Sequence, residues 1–141
     1  MIMDYLAQYA DATSAIALAS NAGTDTTILD HNVAAWNAGA GTPIWVIVSI
    51  ATTFSGAASN PVYATWSTST ASGGTYVVHL KGRLLSIGEL TKGKYLLADP
   101  IPAGHTINRF SKVTMYLDGG VSLTAGVFDS YLSLNAPRNG T

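Results

Sequence analysis

The sequence predicts an all-β sandwich, a single domain of about eight antiparallel strands with helix confined to a turn or two. Three observations carry this prediction. Short runs rich in β-branched and aromatic residues alternate between apolar and polar positions. Gly-, Pro- and Ser-rich turns separate those runs at near-regular spacing. Hydrophobic residues make up 48% of the chain while charged residues make up only 11%, a balance that favours a folded chain over a disordered one.

Along the chain, residues 1–20 have no single preference. Tyr5-Leu-Ala-Gln-Tyr-Ala10 has helix-forming residues, but an extended arm leading into a strand, or an edge strand of the sandwich, suits the Ala- and Ser-rich stretch that follows. The sandwich domain is assigned to residues 21–141. Thr26–Asp30 reads as an early strand. Residues 44–54 place Ile44, Val46, Val48 and Ile50 on a core face, with Trp45 and Ile47 on the opposite face, so this strand is expected to be covered on both sides. Val62, Ala64 and Trp66 form the apolar side of 62–68, with Tyr63 on the other. In 75–81, Tyr76, Val78 and Leu80 oppose Val77 and His79. Residues 94–98 form a short strand that stops before Pro100. Val113, Met115 and Leu117 are the core side of 107–118, and Phe128, Leu132 and Leu134 that of 126–134, where Asp129 and Tyr131 face outward. Turns fall at 37–43, Ser55-Gly56, Ser72-Gly-Gly74, Lys92-Gly93, Pro100–Gly104 and Asp118-Gly-Gly120.

The 141 residues suffice for one core. There is no cysteine, so neither disulfides nor thiolate metal sites contribute. No secretory signal pattern opens the sequence. The longest apolar run, Ile44 to Ile50, falls far short of the ~20 residues a membrane helix needs. The charged fraction is less than half of the roughly 25% usual in soluble domains, which points to a surface hidden against partners or, in the alternative, to a monomer coated in Ser, Thr and Asn. The charges are also segregated. Asp4, Asp11, Asp25 and Asp30 are the only charged residues before Lys81, whereas seven bases and four acids follow from there. This asymmetry either guides docking or is cancelled when the fold brings the halves together. It is too scattered for a nucleic-acid surface.

Sites of chemistry are few. Gly88-Glu-Leu-Thr-Lys-Gly93-Lys94 matches the start of a phosphate-binding loop, but Tyr95 stands where Ser or Thr would hold magnesium, and a strand rather than a helix is expected next. His31, His79 and His105 lack metal-ligand spacing, and His79 is expected on an outer face. No Gly-x-Ser-x-Gly elbow occurs. Neither a catalytic residue set nor a cofactor is expected. Trp36, Trp45 and Tyr131 are candidate interface aromatics.

The order of several segments resembles one known family. Asp11-Ala-Thr-Ser-Ala-Ile-Ala is followed by Thr26–Asp30 and then by Pro43-Ile-Trp-Val-Ile-Val-Ser-Ile-Ala-Thr-Thr-Phe54. Thr65-Trp-Ser-Thr-Ser-Thr70, Ile101-Pro-Ala-Gly104, Arg109–Tyr116 and Gly126–Leu134 complete the series. The pattern is similar to the cement, or head-decoration, proteins of tailed phages typified by a Bordetella phage. It covers most of the chain and departs from it at Tyr5–Ala10 and at the Asn135–Thr141 tail.

The resemblance implies a jelly-roll sandwich that binds the outer surface of a phage head and bridges major capsid protein subunits. It implies a structural virion protein made in the host bacterial cytoplasm, with no catalysis and no nucleic-acid or membrane partner. Self-association is expected, a dimer ahead of a trimer. Met1, Met3, Tyr5, Leu6 and Tyr9 in the arm, with Trp36, Trp45, Ile47 and Tyr131, are the expected contact residues. The alternative is a carbohydrate-binding sandwich, a receptor-binding or lectin-like module with Trp36, Tyr63 and Tyr131 lining a groove.

Overall fold

The computed structural model describes residues 8–10, 22–37, 41–54, 61–118 and 126–137, with 10, 22, 36 and 37 described through their backbone alone. Among these, strands run in the order β1 (Gln8–Ala10), β2 (Ala22–Asp25), β3 (Leu29–Asn37), β4 (Trp45–Thr52) and β5 (Val62–Ser69). They continue with β6 (Val77–Lys81), β7 (Tyr95–Pro100), β8 (Thr106–Leu117) and β9 (Val127–Ser133), and a single 3-10 turn occupies Ile87–Glu89. Every pairing is antiparallel.

Sheet I has the order β1-β9-β4-β7, and sheet II the order β2-β8-β5-β6 with β3 also on β8. β2 pairs with residues 114–117 of β8 and β3 with residues 106–111, so the two lie end to end along one partner. Taken together as one broken strand, they give the eight strands expected. The chain changes sheet at every connection except the β5–β6 hairpin. β9 inserts between β1 and β4, and β8 between β2/β3 and β5. These nested crossings are the jelly roll.

The pleat decides what fills the interior. Val46, Val48 and Ile50 of β4, Val62, Ala64 and Trp66 of β5, and Val113, Met115 and Leu117 of β8 join one buried cluster with Phe128 of β9. Both edges of the sandwich are stitched. At one, Thr27 N–H donates to the Tyr9 carbonyl at 3.1 Å, joining β1 to the β2–β3 junction. At the other, Gly82 N–H donates to the Ala64 carbonyl at 2.8 Å and Arg83 N–H to the Leu96 carbonyl at 3.1 Å, so two adjacent residues hold both sheets.

Four local expectations change. The early strand is longer and interrupted: Ala22–Asp25 and Leu29–Asn37 pair with β8, while residues 26–28 do not form strand. The break continues as a register shift between Asp30 and Ala35, where Asn32 adopts φ 57° and its N–H donates to Asp30 Oδ1 at 2.8 Å. A bulge of this kind erases alternation, which is why residues 31–37 show none. β7 continues through Pro100, opposite Trp45; proline is tolerated there because β7 is an edge strand. In β6, a register shift beside Trp66 disturbs the pleat. Val77 and Val78 are both exposed, and His79 bonds Thr68 Oγ1 at 2.8 Å with its ring 5.6 Å from that of Trp66, rather than facing outward. Leu134 lies past the end of β9 and is exposed, not core.

Candidate functional site

The two described acids of the N-terminal half both pair with bases of the C-terminal half. Asp25 pairs with Lys112 at 2.6 Å and Asp30 with Arg109 at 2.7 Å, each joining the acidic N-terminal half to the basic C-terminal half across β8. Arg109 forks onto both Asp30 oxygens, and this holds the Asp30 carboxyl down at about 2. Burial alone would raise Asp25, but hydrogen bonds from Lys112 and Thr114 outweigh it and hold the group below its ordinary value.

The two outer faces differ as a result. The outer face of sheet II carries a groove of about 320 Å³ between Gly23 and Asp25 on one side and Tyr76 and Val78 on the other, floored by Thr65, Ser67 and Thr114. Its groups engage one another. Lys112 holds Asp25 and lies 4.3 Å from the centre of the Tyr76 ring. Tyr63 and Tyr116 stack at 5.0 Å, and Lys81 sits 4.4 Å from the centre of the Tyr63 ring. Gly23 permits this closeness, since a Cβ there would fall 2.7 Å from the Tyr116 ring. In the floor, the Thr65 hydroxyl is buried and makes no hydrogen bond among the described residues. Thr65→Val keeps the shape and removes an unpaired polar group, so it is expected to stabilise the protein by up to ~1 kcal/mol. A thermal melt checks this, and a lowered midpoint would contradict it.

Sheet I presents a different surface. Its four strands carry Asp99 and Asp129 and no Lys or Arg. Trp45, Ile47 and Ser49 project opposite the core side of β4. Ile47 sits between Tyr131 of β9 and Ala98 of β7 in register. Three predicted contact residues thus share one face. Ile47 is 1% and Tyr131 6% exposed, while Trp45 and Tyr95 are half-buried. β4 is therefore covered on both faces, as expected. Burial, followed by the neighbouring Tyr95 and Asp129, pushes the Tyr131 phenol up. Gln8 of β1 donates to Asp129 Oδ1 at 3.2 Å and ties the edge strand to this face.

The other predicted contact residues lie elsewhere. Met1, Met3, Tyr5 and Leu6 fall outside the described residues, as does all of the expected arm except Gln8–Ala10, which form the edge strand β1. Tyr9 is 1% exposed and points into the core. Trp36 stands opposite Ile107 in the β3–β8 register. Of the aromatics expected to line a glycan groove, Tyr131 belongs to sheet I and Tyr63 to sheet II, and neither is among the residues that line the groove there.

Lys94 is followed by β7 and not by a helix, so the Gly88–Lys94 segment lacks the helix N-terminus that a phosphate loop uses. Among the described residues, no helix is long and apolar enough to cross a membrane.

Sequence reasoning passed over one polar cluster altogether. Tyr9, Trp66, Ser111 and His31 meet through three hydrogen bonds, although they are drawn from four strands of both sheets. No spacing signal announces it, because its members are 57, 102 and 80 positions apart along successive contacts.

A family model described as Bbp16 matches residues 10–132. No curated protein matches the chain. The match runs from the end of β1 almost to the end of β9 and so takes in nearly the whole jelly roll. With an all-β body of two antiparallel sheets and a match across most of its length, the chain belongs to the Bbp16 family, which is named for a Bordetella phage protein.

Proposed function

We propose that this phage structural protein is a capsid cement protein: it binds the outer surface of the head and bridges neighbouring major capsid protein subunits without catalysing a reaction. The observation that carries the reading is the extent of the family match, which follows the whole sandwich body. The outer face of sheet I supports it. Its described strands carry no Lys or Arg, Ile47 and Tyr131 are already buried within the chain, and the half-buried Trp45 and Tyr95 are the aromatics left to meet a protein surface, where aromatic anchors are enriched and charges depleted at interface centres. The outer face of sheet II, with its ion pairs and stacked tyrosines, is the better suited to water.

A shell repeats each binding site many times. Modest affinity per contact is multiplied when one protein engages two subunits, and anything that binds only the assembled shell stabilises it by mass action. Self-association, as a dimer ahead of a trimer, would supply the second point of contact.

The test is decoration of purified heads. Trp45→Glu places a charge on sheet I without altering the core side of β4. This variant is expected to fold and melt like the parent, yet to lose co-sedimentation with heads by about a hundredfold in affinity, as removal of a central aromatic anchor does. Undiminished decoration would remove sheet I from the interface, and failure of the parent protein to bind heads would end the cement reading.

A further inference from the structure

The groove on the outer face of sheet II is built around charges that cancel. Asp25 and Lys112 border it and are joined as an ion pair at 2.6 Å. An ion entering beside them is repelled by one as it is attracted by the other, so the site favours a neutral guest. The Asp25 carboxylate can only accept hydrogen bonds, and its Oδ1 takes one from Thr114 Oγ1 at 2.6 Å. With its hydrogen committed, the Thr114 hydroxyl is left as an acceptor. Lys112 Nζ can only donate, and it gives one of its three hydrogens to Asp25. Donors and acceptors therefore lie side by side, and a guest hydroxyl, which does both, matches them.

The floor adds a group that lacks a partner. Thr65 stands opposite Thr114 in the β5–β8 register and projects on the groove side, since Ala64 and Trp66 face the core. It is 5% exposed, and its hydroxyl makes no hydrogen bond among the described residues. An unpaired buried hydroxyl costs free energy that a hydrogen-bonding guest recovers. The walls are apolar. Val78 is exposed on its side of the groove, and Tyr76 is anchored by its hydroxyl, which donates to the Ser72 carbonyl at 3.0 Å. At about 320 Å³ the groove stands at the small end of the ~300–1,000 Å³ usual for ligand sites, which suits one ring and not a long chain.

We propose that this groove is a saccharide site: it takes one neutral sugar ring, with two adjacent hydroxyls bridging Asp25 and Lys112 and the C–H face of the ring against Tyr76 and Val78. One hydroxyl of the pair donates to Asp25 and its neighbour accepts from Lys112. A further hydroxyl partners Thr65 in the floor. The site lies on the opposite sheet from Trp45 and does not depend on the cement reading.

The test is a titration of the full, isotope-labelled chain followed by amide NMR. The probes are glucose, galactose, mannose and N-acetylglucosamine, each as the free sugar and as its methyl glycoside, up to about 50 mM. At least one is expected to give saturable shifts at residues 23–25, 65–67, 76–78 and 112–116, with a Kd of about 1–10 mM, as suits a single small ring. Sodium acetate and methylammonium chloride, each bearing one charge, are expected to give none there. Saturable shifts there from either ion, or their absence with every sugar, would overturn the proposal. Methyl glycosides stand for the end of a glycan and free sugars for a dissolved metabolite. Binding by either supports the site, and the set that binds identifies the source. Thr65→Val, expected above to melt higher than the parent, should nevertheless bind the sugar about three- to tenfold more weakly, because one hydrogen bond is lost. A purely structural role would move stability and leave affinity alone, so equal affinity in this variant would overturn the site. Trp45→Glu should bind the sugar like the parent, which keeps this result separate from the decoration of heads. Loss of binding in that variant would place the sugar on sheet I and refute the proposal.

Discussion

Trp66→Ala is expected to lower stability by about 4 kcal/mol, which for a domain of this size moves the thermal midpoint down by roughly 15 °C. Among the described residues Trp66 is the largest fully buried side chain, it stands at the centre of β5, and its ring lies in the cluster shared by both sheets. Removing it opens a cavity that neighbours on two sheets cannot close together, and it also takes away the donor to Tyr9. Trp66→Phe separates the two contributions. It keeps most of the volume and loses the N–H, so about half the destabilisation or less is expected. Chemical denaturation of the three proteins decides the matter, and a Trp66→Ala variant within about 1 kcal/mol of the parent would show that the core repacks freely.

Gly82→Ala is the second large effect, although it adds a single carbon. A Cβ at position 82 would lie 2.0 Å from the Leu96 carbonyl oxygen, with the Leu96 carbonyl carbon and the Ala64 carbonyl oxygen also in contact. These are backbone atoms of β7 and β5, fixed by their own ladders, so no rotamer can relieve the overlap. The residue sits where the chain leaves sheet II for sheet I and holds both edges together. Overpacking against backbone is expected to cost at least about 3 kcal/mol, read as a fall in melting temperature or as loss of soluble protein. Gly88→Ala is the matched control: nothing lies within 4 Å of its Cβ position, and a change within about 0.5 kcal/mol is expected. Equal behaviour of the two variants would contradict the corner geometry.

Alternation made β4, β5 and β8 legible in the sequence. In each, every second residue faces a core that is there regardless of what lies on the other side, so Val46, Ala64 and Met115 announce themselves. Elements whose shape depends on distant partners were not legible. β1 is too short to show a period, and Tyr9 is directed inward by Ser111, 102 positions further on. β3 loses its alternation at Asn32, whose left-handed backbone marks the bulge. Sheet I's outer face could be read in part, since Trp45 and Ile47 follow from the pleat of β4. Tyr131 joins them only through the β4–β9 register. The charge asymmetry was visible as a count, but its pairing is a property of β8 lying between chain segments far apart.

The position of β1 also sets an order of events during synthesis. Its ladder partner β9 is made some 120 residues later, since Gln8 pairs with Tyr131. At roughly 5–20 residues per second, the ribosome needs about 6 to 24 s to supply it. Late in that interval β4, β5 and Ser111 have been made, yet β1 still has no β9 to pair with. Among the described strands, closure therefore waits on the last, and the first made is the last to be paired. A jelly roll built this way folds slowly because its decisive contacts are its most distant ones.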